Sequence, residues 1–255
     1  MKSPAHCDET PAAVVRIAMW SGPRNISTAM MRSFENRADC TVVDEPLYAH
    51  YLRETRHNHP GRDEIIAHHE CELGRLIRLL TVDPPPDPAS TVFYQKHMAH
   101  HLLPGMAREW ISSLRNCFLI REPRAMFASL AKVIDNPTIE QTGLPQQLEL
   151  FKAEHDRTGD IPIVIDSRDV LEQPERMLRT LCHAIGIRFS KMMLTWPPGP
   201  RPTDGIWARH WYASVWQSTG FEPYQQREVS LPPELEASAQ RCEEIYAQLH
   251  RQRLT

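Results

Sequence analysis

Five short apolar runs punctuate the chain, at Val14 to Trp20, 40–46, 91–98, 116–123 and 161–167, each cut off by polar or proline-bearing residues. Between them lie stretches with apolar residues at helical spacing. Asn25 to Asn36 carries Ile26, Ala29, Met30 and Phe34; Asp63 to Leu80 carries Ile65, Ile66, Leu73, Leu76, Ile77 and Leu80, with Gly74 as its weak point. A third helical pattern starts at Pro123, whose missing N–H does no harm in a first turn. A fourth follows 161–167 to about Ile185, and a last one runs from Pro232 to about Gln252. Strands that alternate with helices require crossover connections, so the pattern predicts a three-layer α/β fold with a mainly parallel central sheet flanked by helices. The 255 residues suit one such domain over 14–255, preceded by a loose polar tail at 1–13.

Composition narrows the function classes. A formal net charge of -3 excludes a nucleic-acid coat and a polybasic membrane anchor. No apolar run approaches the ~18 residues a membrane helix needs. The six cysteines, Cys7, Cys40, Cys71, Cys117, Cys182 and Cys242, are far apart with no C-x-x-C pair, which predicts free thiols and a reducing cytoplasm. Only five of the 29 basic residues are lysine, leaving 24 arginines, whose planar fork suits phosphate and sulfate.

The end of the first run is the most informative segment. Ser21-Gly22-Pro23-Arg24-Asn25 breaks it, and Ser27 and Thr28 then open a helix. Unpartnered N–H groups at such a helix start, its dipole, two hydroxyls and a fixed cation make an anion cradle. The G-x-x-x-x-G-K-[ST] pattern of nucleoside triphosphatases is absent, for no second glycine and no lysine occur there. In an open parallel sheet ligands bind outside the carboxyl ends of the strands. The polar clusters 21–28, 44–46 with 95–97, and 121–129 all fall at such ends and are expected to converge. Arg121 at a strand end and Ser129 two turns into the next helix suit a second anion.

These segments together resemble the sulfotransferases that use 3′-phosphoadenosine-5′-phosphosulfate (PAPS). Their P-[KR]-S-G-[ST]-T loop, which binds the 5′-phosphosulfate, is matched with substitutions by Pro23-Arg24-Asn25-Ile26-Ser27-Thr28. Their R-x-P-[KR]-x-x-x-x-S motif, for the 3′-phosphate, is matched at every fixed position by Arg121-Glu122-Pro123-Arg124 and Ser129. "QKHMAHHLLP" resembles K-T-H-L-x-x-x-L-L-P and puts His97 at the catalytic-histidine position. "RPTDGIWARHW" resembles a late R-K-G-x-x-G-D-W-K loop, with Gly205 and Trp207 kept and Arg201 near the basic pair. The likeness spans about 14–215 and implies a three-layer P-loop-type fold.

It also implies transfer of a sulfuryl group from PAPS to a hydroxyl or amine of a small molecule, without metal or covalent intermediate. Positioning and charge stabilisation carry such in-line transfers. The resemblance assigns the donor to Gly22, Pro23, Arg24, Asn25, Ile26, Ser27, Thr28, Arg121, Ser129 and Arg201. Arg24 then stabilises the leaving group electrostatically, since arginine does not release a proton. Two bases are candidates. Glu45 stands where some carbohydrate-directed members place a carboxylate, and His97 where cytosolic members place a histidine; the Pro-Arg form of the loop leans to Glu45. Ala29 and Ser167 replace the tryptophan and tyrosine that many cytosolic members use on adenine, leaving Trp20, Trp207 or Trp211 to stack. Tyr48, Tyr51 and Trp211 are expected around the acceptor, and a homodimer is a family-level expectation. Two other readings compete: a P-loop kinase recruiting Asp44 and Asp166 for Mg²⁺, and a non-catalytic nucleotide-binding protein of the same fold. The pairs His57-x-His59, His68-His69 and His100-His101 are read as solvated or loop histidines, not a metal site.

Overall fold

The computed structural model describes residues 13–226 and 229–255; the expected tail, apart from Ala13, lies outside them. Five strands, β1 (Val15–Ser21), β2 (Cys40–Asp44), β3 (Val92–Met98), β4 (Arg115–Ile120) and β5 (Ile163–Asp166), form one sheet in the order β2-β3-β1-β4-β5. Every pairing is parallel. The winding reverses at β1: β2 and β3 lie on one side of it, β4 and β5 on the other. The crevice for a ligand therefore opens past Ser21.

Strand alternation builds the layers. On β1, Ala18 and Trp20 face one side of the sheet while Ile17 and Met19 face the other, and all four are buried. The first side is covered by α4 (Leu73–Thr81), α5 (Pro123–Leu130), α6 (Leu144–Thr158) and α11 (Pro233–His250), through Leu76, Leu80, Phe127, Leu144, Leu235 and Cys242. The second side is covered by α1 (Ser27–Glu35), α7 (Ser167–Glu172) and α8 (Pro174–Ile185), through Met30, Phe34, Val170, Leu178 and Leu181. A third apolar cluster joins α2 (Tyr48–Thr55) and α3 (Arg62–His68) to the segment carrying α9 (Ala208–Trp211) and α10 (Ala213–Gln217).

Two expected helices are broken. The pattern over 63–80 divides into α3 and α4, and the break falls at 69–72, not at Gly74. Glu72 starts the second helix by accepting hydrogen bonds from the N–H groups of Gly74 and Arg75. The helix after β5 divides at Gln173, because Pro174 cannot donate back into the preceding turn and serves as a first helical residue. No helix among the described residues is long and apolar enough to cross a membrane.

Candidate active site

Past the end of β1 the backbone takes an unusual path. Arg24 (φ 63°) and Ile26 (φ 56°) are both left-handed. For β-branched Ile26 that conformation is strained, and such strain concentrates at functional sites. Ile26 occupies the position that the loop pattern above fills with glycine. Asn25 between them is buried and donates from Nδ2 to the Leu119 carbonyl, 3.3 Å, tying the loop to β4, while its Oδ1 has no partner among the described residues. Gly22 is required by a close approach: a Cβ there would stand 2.1 Å from the Thr142 carbonyl oxygen. Among the described residues no side chain caps α1, and its first turn holds no acidic residue. By contrast α5, which leaves the neighbouring strand, is capped by Glu122.

Two guanidinium groups meet over this uncapped start. Arg24 Nε donates to Ser129 Oγ at 3.0 Å, and Arg121 donates to the Arg24 carbonyl oxygen. Among the described residues neither arginine makes an ion pair with a carboxylate. Partial burial pulls both below the ordinary arginine value, and for Arg121 the charge of Arg24 adds to the effect. A bound anion relieves that repulsion. Arg121 and Ser129 thus stand with the loop, as the spacing of 121–129 predicts.

The loop forms one end of a cavity of about 280 Å³, lined there by Pro23 to Ala29 and Arg121. Toward β2 and β3 the lining includes Glu45, Lys96, Tyr212, Tyr48, Tyr51 and Trp211, and apolar Met98, Leu130, Val133, Ile134 and Val215 also line the cavity. Lys96, 1% exposed, sits 2.8 Å from Asp44 and 2.5 Å from Glu45. Burial pulls its ammonium down, but the two carboxylates more than offset this and hold it well above the ordinary lysine value. For Glu45 the balance goes the other way: burial outweighs Lys96 and raises the carboxyl above its ordinary range. Tyr48 donates to or accepts from His59 Nδ1 at 2.8 Å and stacks on His101, centroids 4.9 Å apart, while Tyr51 packs on the same histidine at 4.7 Å. Burial drives His100 to about 3 and His101 well below the ordinary histidine value, so both are neutral near pH 7.

Several residues expected at the site lie away from the cavity lining. His97 does not line the cavity. It is buried on the opposite face of β3, stacked on Trp20 with centroids 4.3 Å apart and hydrogen-bonded to Gln95, and burial takes it to about 3. The alternation of β3 sends Lys96 and Met98 to the cavity and His97 away from it. Arg201 also lies outside the lining; its guanidinium donates to the Pro197 carbonyl and its N–H to Asp204. Of the three tryptophans suggested for adenine, Trp20 and Trp207 are buried in apolar clusters, and only Trp211 reaches the cavity.

Lys96, Tyr212, His59, His100 and His101 line the cavity without having been read as site residues. Period two along β3 carries the signal for Lys96. Tyr212 comes from a loop segment held from afar, since Arg32 of α1 bridges Asp204 at 2.6 Å and Trp216 Nε1 donates to the same carboxylate.

Residues 15–234 match the family model described as a sulfotransferase domain. The chain belongs to that family. The sulfotransferase domain shares its fold with the "Sulfotransferase Domain from the Synechococcus PCC 7002 Olefin Synthase", TM-score 0.61 at 15% identity, over 96% of this chain and 98% of that one. It is likewise similar to the "Sulfotransferase Domain from the Curacin Biosynthetic Pathway", TM-score 0.55 at 14% identity, over 93% and 98%. Curated relatives from Arabidopsis thaliana, "Branched-chain-amino-acid aminotransferase-like protein 1" and "2", are 37% and 33% identical over 80% and 85% of this chain. The sulfotransferase domain covers only 36% and 38% of those relatives, so it spans little more than a third of their length.

Proposed function

We propose that this chain transfers the sulfuryl group of PAPS in line to a hydroxyl or amine of a small-molecule acceptor. The observation that carries the reading is the cationic end of the cavity. Arg24, Arg121 and Ser129 lie beside the start of α1, and neither arginine is ion-paired with a carboxylate among the described residues. That donor set suits a ligand with two separate anionic groups, as the 5′-phosphosulfate and 3′-phosphate of PAPS are. Gly22 to Thr28 would hold the first and Arg121 with Ser129 the second. Arg24 supplies a permanent charge where negative charge develops on the leaving phosphate oxygen.

Glu45 is the base on this reading, in place of His97, because it faces the cavity and its raised value brings it nearer the operating pH. Tyr48, Tyr51 and Trp211 wall the acceptor. The kinase reading is disfavoured because both aspartates it would recruit are engaged. Asp44 is bound by Lys96 and Tyr212, and Asp166 caps α7 and accepts from Tyr246. The five described cysteines are free, which suits the reducing cytoplasm of the proposal.

The test is a transfer assay with PAPS against pooled alcohols, phenols, amines and sugars, following release of 3′-phosphoadenosine-5′-phosphate. Acceptor-dependent release is expected. Binding without transfer to any acceptor would move the chain to a nucleotide-binding role, and transfer from Mg²⁺-ATP would make it a kinase.

A further inference from the structure

Glu45 does not share its lysine alone. Asp44 and Glu45 are consecutive at the end of β2, and the left-handed backbone at Glu45 (φ 41°) lets both side chains reach the same Lys96 ammonium. Tyr212 closes the group. Its hydroxyl lies 2.7 Å from Lys96 Nζ and 2.7 Å from Asp44 Oδ2, with Glu45 at 3.4 Å. Asp44 also accepts the Gly205 N–H on that same Oδ2 at 3.1 Å, while Lys96 holds its Oδ1, so both carboxylate oxygens are pinned. Two carboxylates and one ammonium leave a single net negative charge at a buried spot. A simple Glu–Lys pair there would be broken whenever the carboxyl took a proton, leaving a buried, uncompensated cation. Here a second carboxylate remains.

Resting on Glu45 as the proton acceptor of the proposed transfer, we propose that Asp44 and Tyr212 are positioning residues that hold Lys96 against Glu45 and remain its partners after Glu45 is protonated. In that step the acceptor oxygen bonds to sulfur as the bond from sulfur to the leaving phosphate oxygen breaks. The electron pair stays on the phosphate, and the acceptor's proton passes to Glu45. The charges facing Glu45 are Asp44 beside it, Lys96 from β3, Tyr212 from the late segment and Tyr48 from α2. His69 and His101 lie near enough to feel Asp44 and Lys96.

The experiment compares kcat–pH profiles of wild type, Asp44→Asn, Lys96→Met and Tyr212→Phe. Asp44→Asn removes a negative neighbour and gives Lys96 wholly to Glu45. Its acid limb is expected to move to lower pH, with kcat at neutral pH several-fold down because Glu45 is a weaker base. Lys96→Met moves the limb to higher pH, and Tyr212→Phe moves it the same way by less. The dissociation constant for 3′-phosphoadenosine-5′-phosphate stays unchanged in all three. A cluster that only ties β2 to β3 would lower stability without opposite-signed shifts. Superimposable profiles, or shifts of one sign, overturn the proposal. Infrared titration of the Glu45 carboxyl, taken as a difference against Glu45→Gln, reads the same shifts without turnover. A chain that transfers nothing thus refutes the sulfuryl-transfer reading, while this spectrum still decides the positioning role.

Discussion

The two ends of the cavity hold their charges in opposite ways. At the loop end, Arg24 and Arg121 lie close together without an ion-paired carboxylate, and no side chain caps the helix start beside them, among the described residues. Both lie below the ordinary arginine value: burial lowers each, and the charge of Arg24 lowers Arg121 further, against weaker opposing pulls from Glu122, Tyr224 and Asp166. At the far end, Asp44, Glu45, Lys96 and Tyr212 satisfy one another within 3.4 Å. An end that leaves its charge unpaired is prepared for a ligand that brings the opposite charge. An end that pairs its charge internally is prepared to move a proton without exposing an ion. On the proposed function, this difference would separate donor binding from acceptor chemistry within a single cleft.

Breaking the cationic end has the largest expected consequence. On the proposed function Arg24→Ala removes the cation at the leaving group, and kcat is expected to fall by about 10²–10³-fold, as for loss of a preorganised donor. Steady-state assay with PAPS checks this, and a loss of only a few-fold would remove Arg24 from the reaction. Arg121→Ala should weaken binding of 3′-phosphoadenosine-5′-phosphate by roughly 10- to 100-fold, the scale of a charge-assisted hydrogen bond. Binding of 5′-AMP, which lacks the 3′-phosphate, should change little. Calorimetry of both nucleotides separates the two phosphate sites.

The far end and the core behind it are sharpened by pH. His97, His100 and His101 are held neutral by burial, with His97 and His100 at about 3. Below the unfolded value near 6.5, the unfolded chain takes protons that the folded one refuses. Stability is therefore full above that value and lost as pH falls from it toward 3, by at most about 1.4 kcal/mol per pH unit for each histidine. Denaturant titrations between pH 7 and 4 test the slope. The smallest expected effect is on turnover in His97→Ala. Since His97 stacks on Trp20 away from the cavity, kcat should stay within a few-fold of wild type while the midpoint of thermal unfolding drops. A collapse of kcat in folded protein would restore His97 as a base.

Much of this was legible in the residues. Five apolar runs became five parallel strands, and the loop after Trp20 and the Arg121–Ser129 spacing came together because both leave carboxyl ends of adjacent strands. A motif match fixes sequence distance, while the two-residue period of β3 fixes the face, and here it turns Lys96 toward the cavity and His97 away. Tyr212 was invisible for another reason. Its approach to Asp44 depends on the bridge from Arg32 to Asp204, a contact across 172 residues of sequence that no local pattern announces. The helix breaks at 69–72 and Gln173 lay within reach of the sequence, in the capping glutamate and the proline.

The most direct test of the cationic end is calorimetric titration of the protein with 3′-phosphoadenosine-5′-phosphate, with 5′-AMP and Mg²⁺-ATP as controls. Two unneutralised arginines placed for two phosphates predict tight binding that requires the 3′-phosphate and no metal. Preference for Mg²⁺-ATP, or equal affinity for 5′-AMP, would contradict the assignment of Arg24 and Arg121 to a PAPS site.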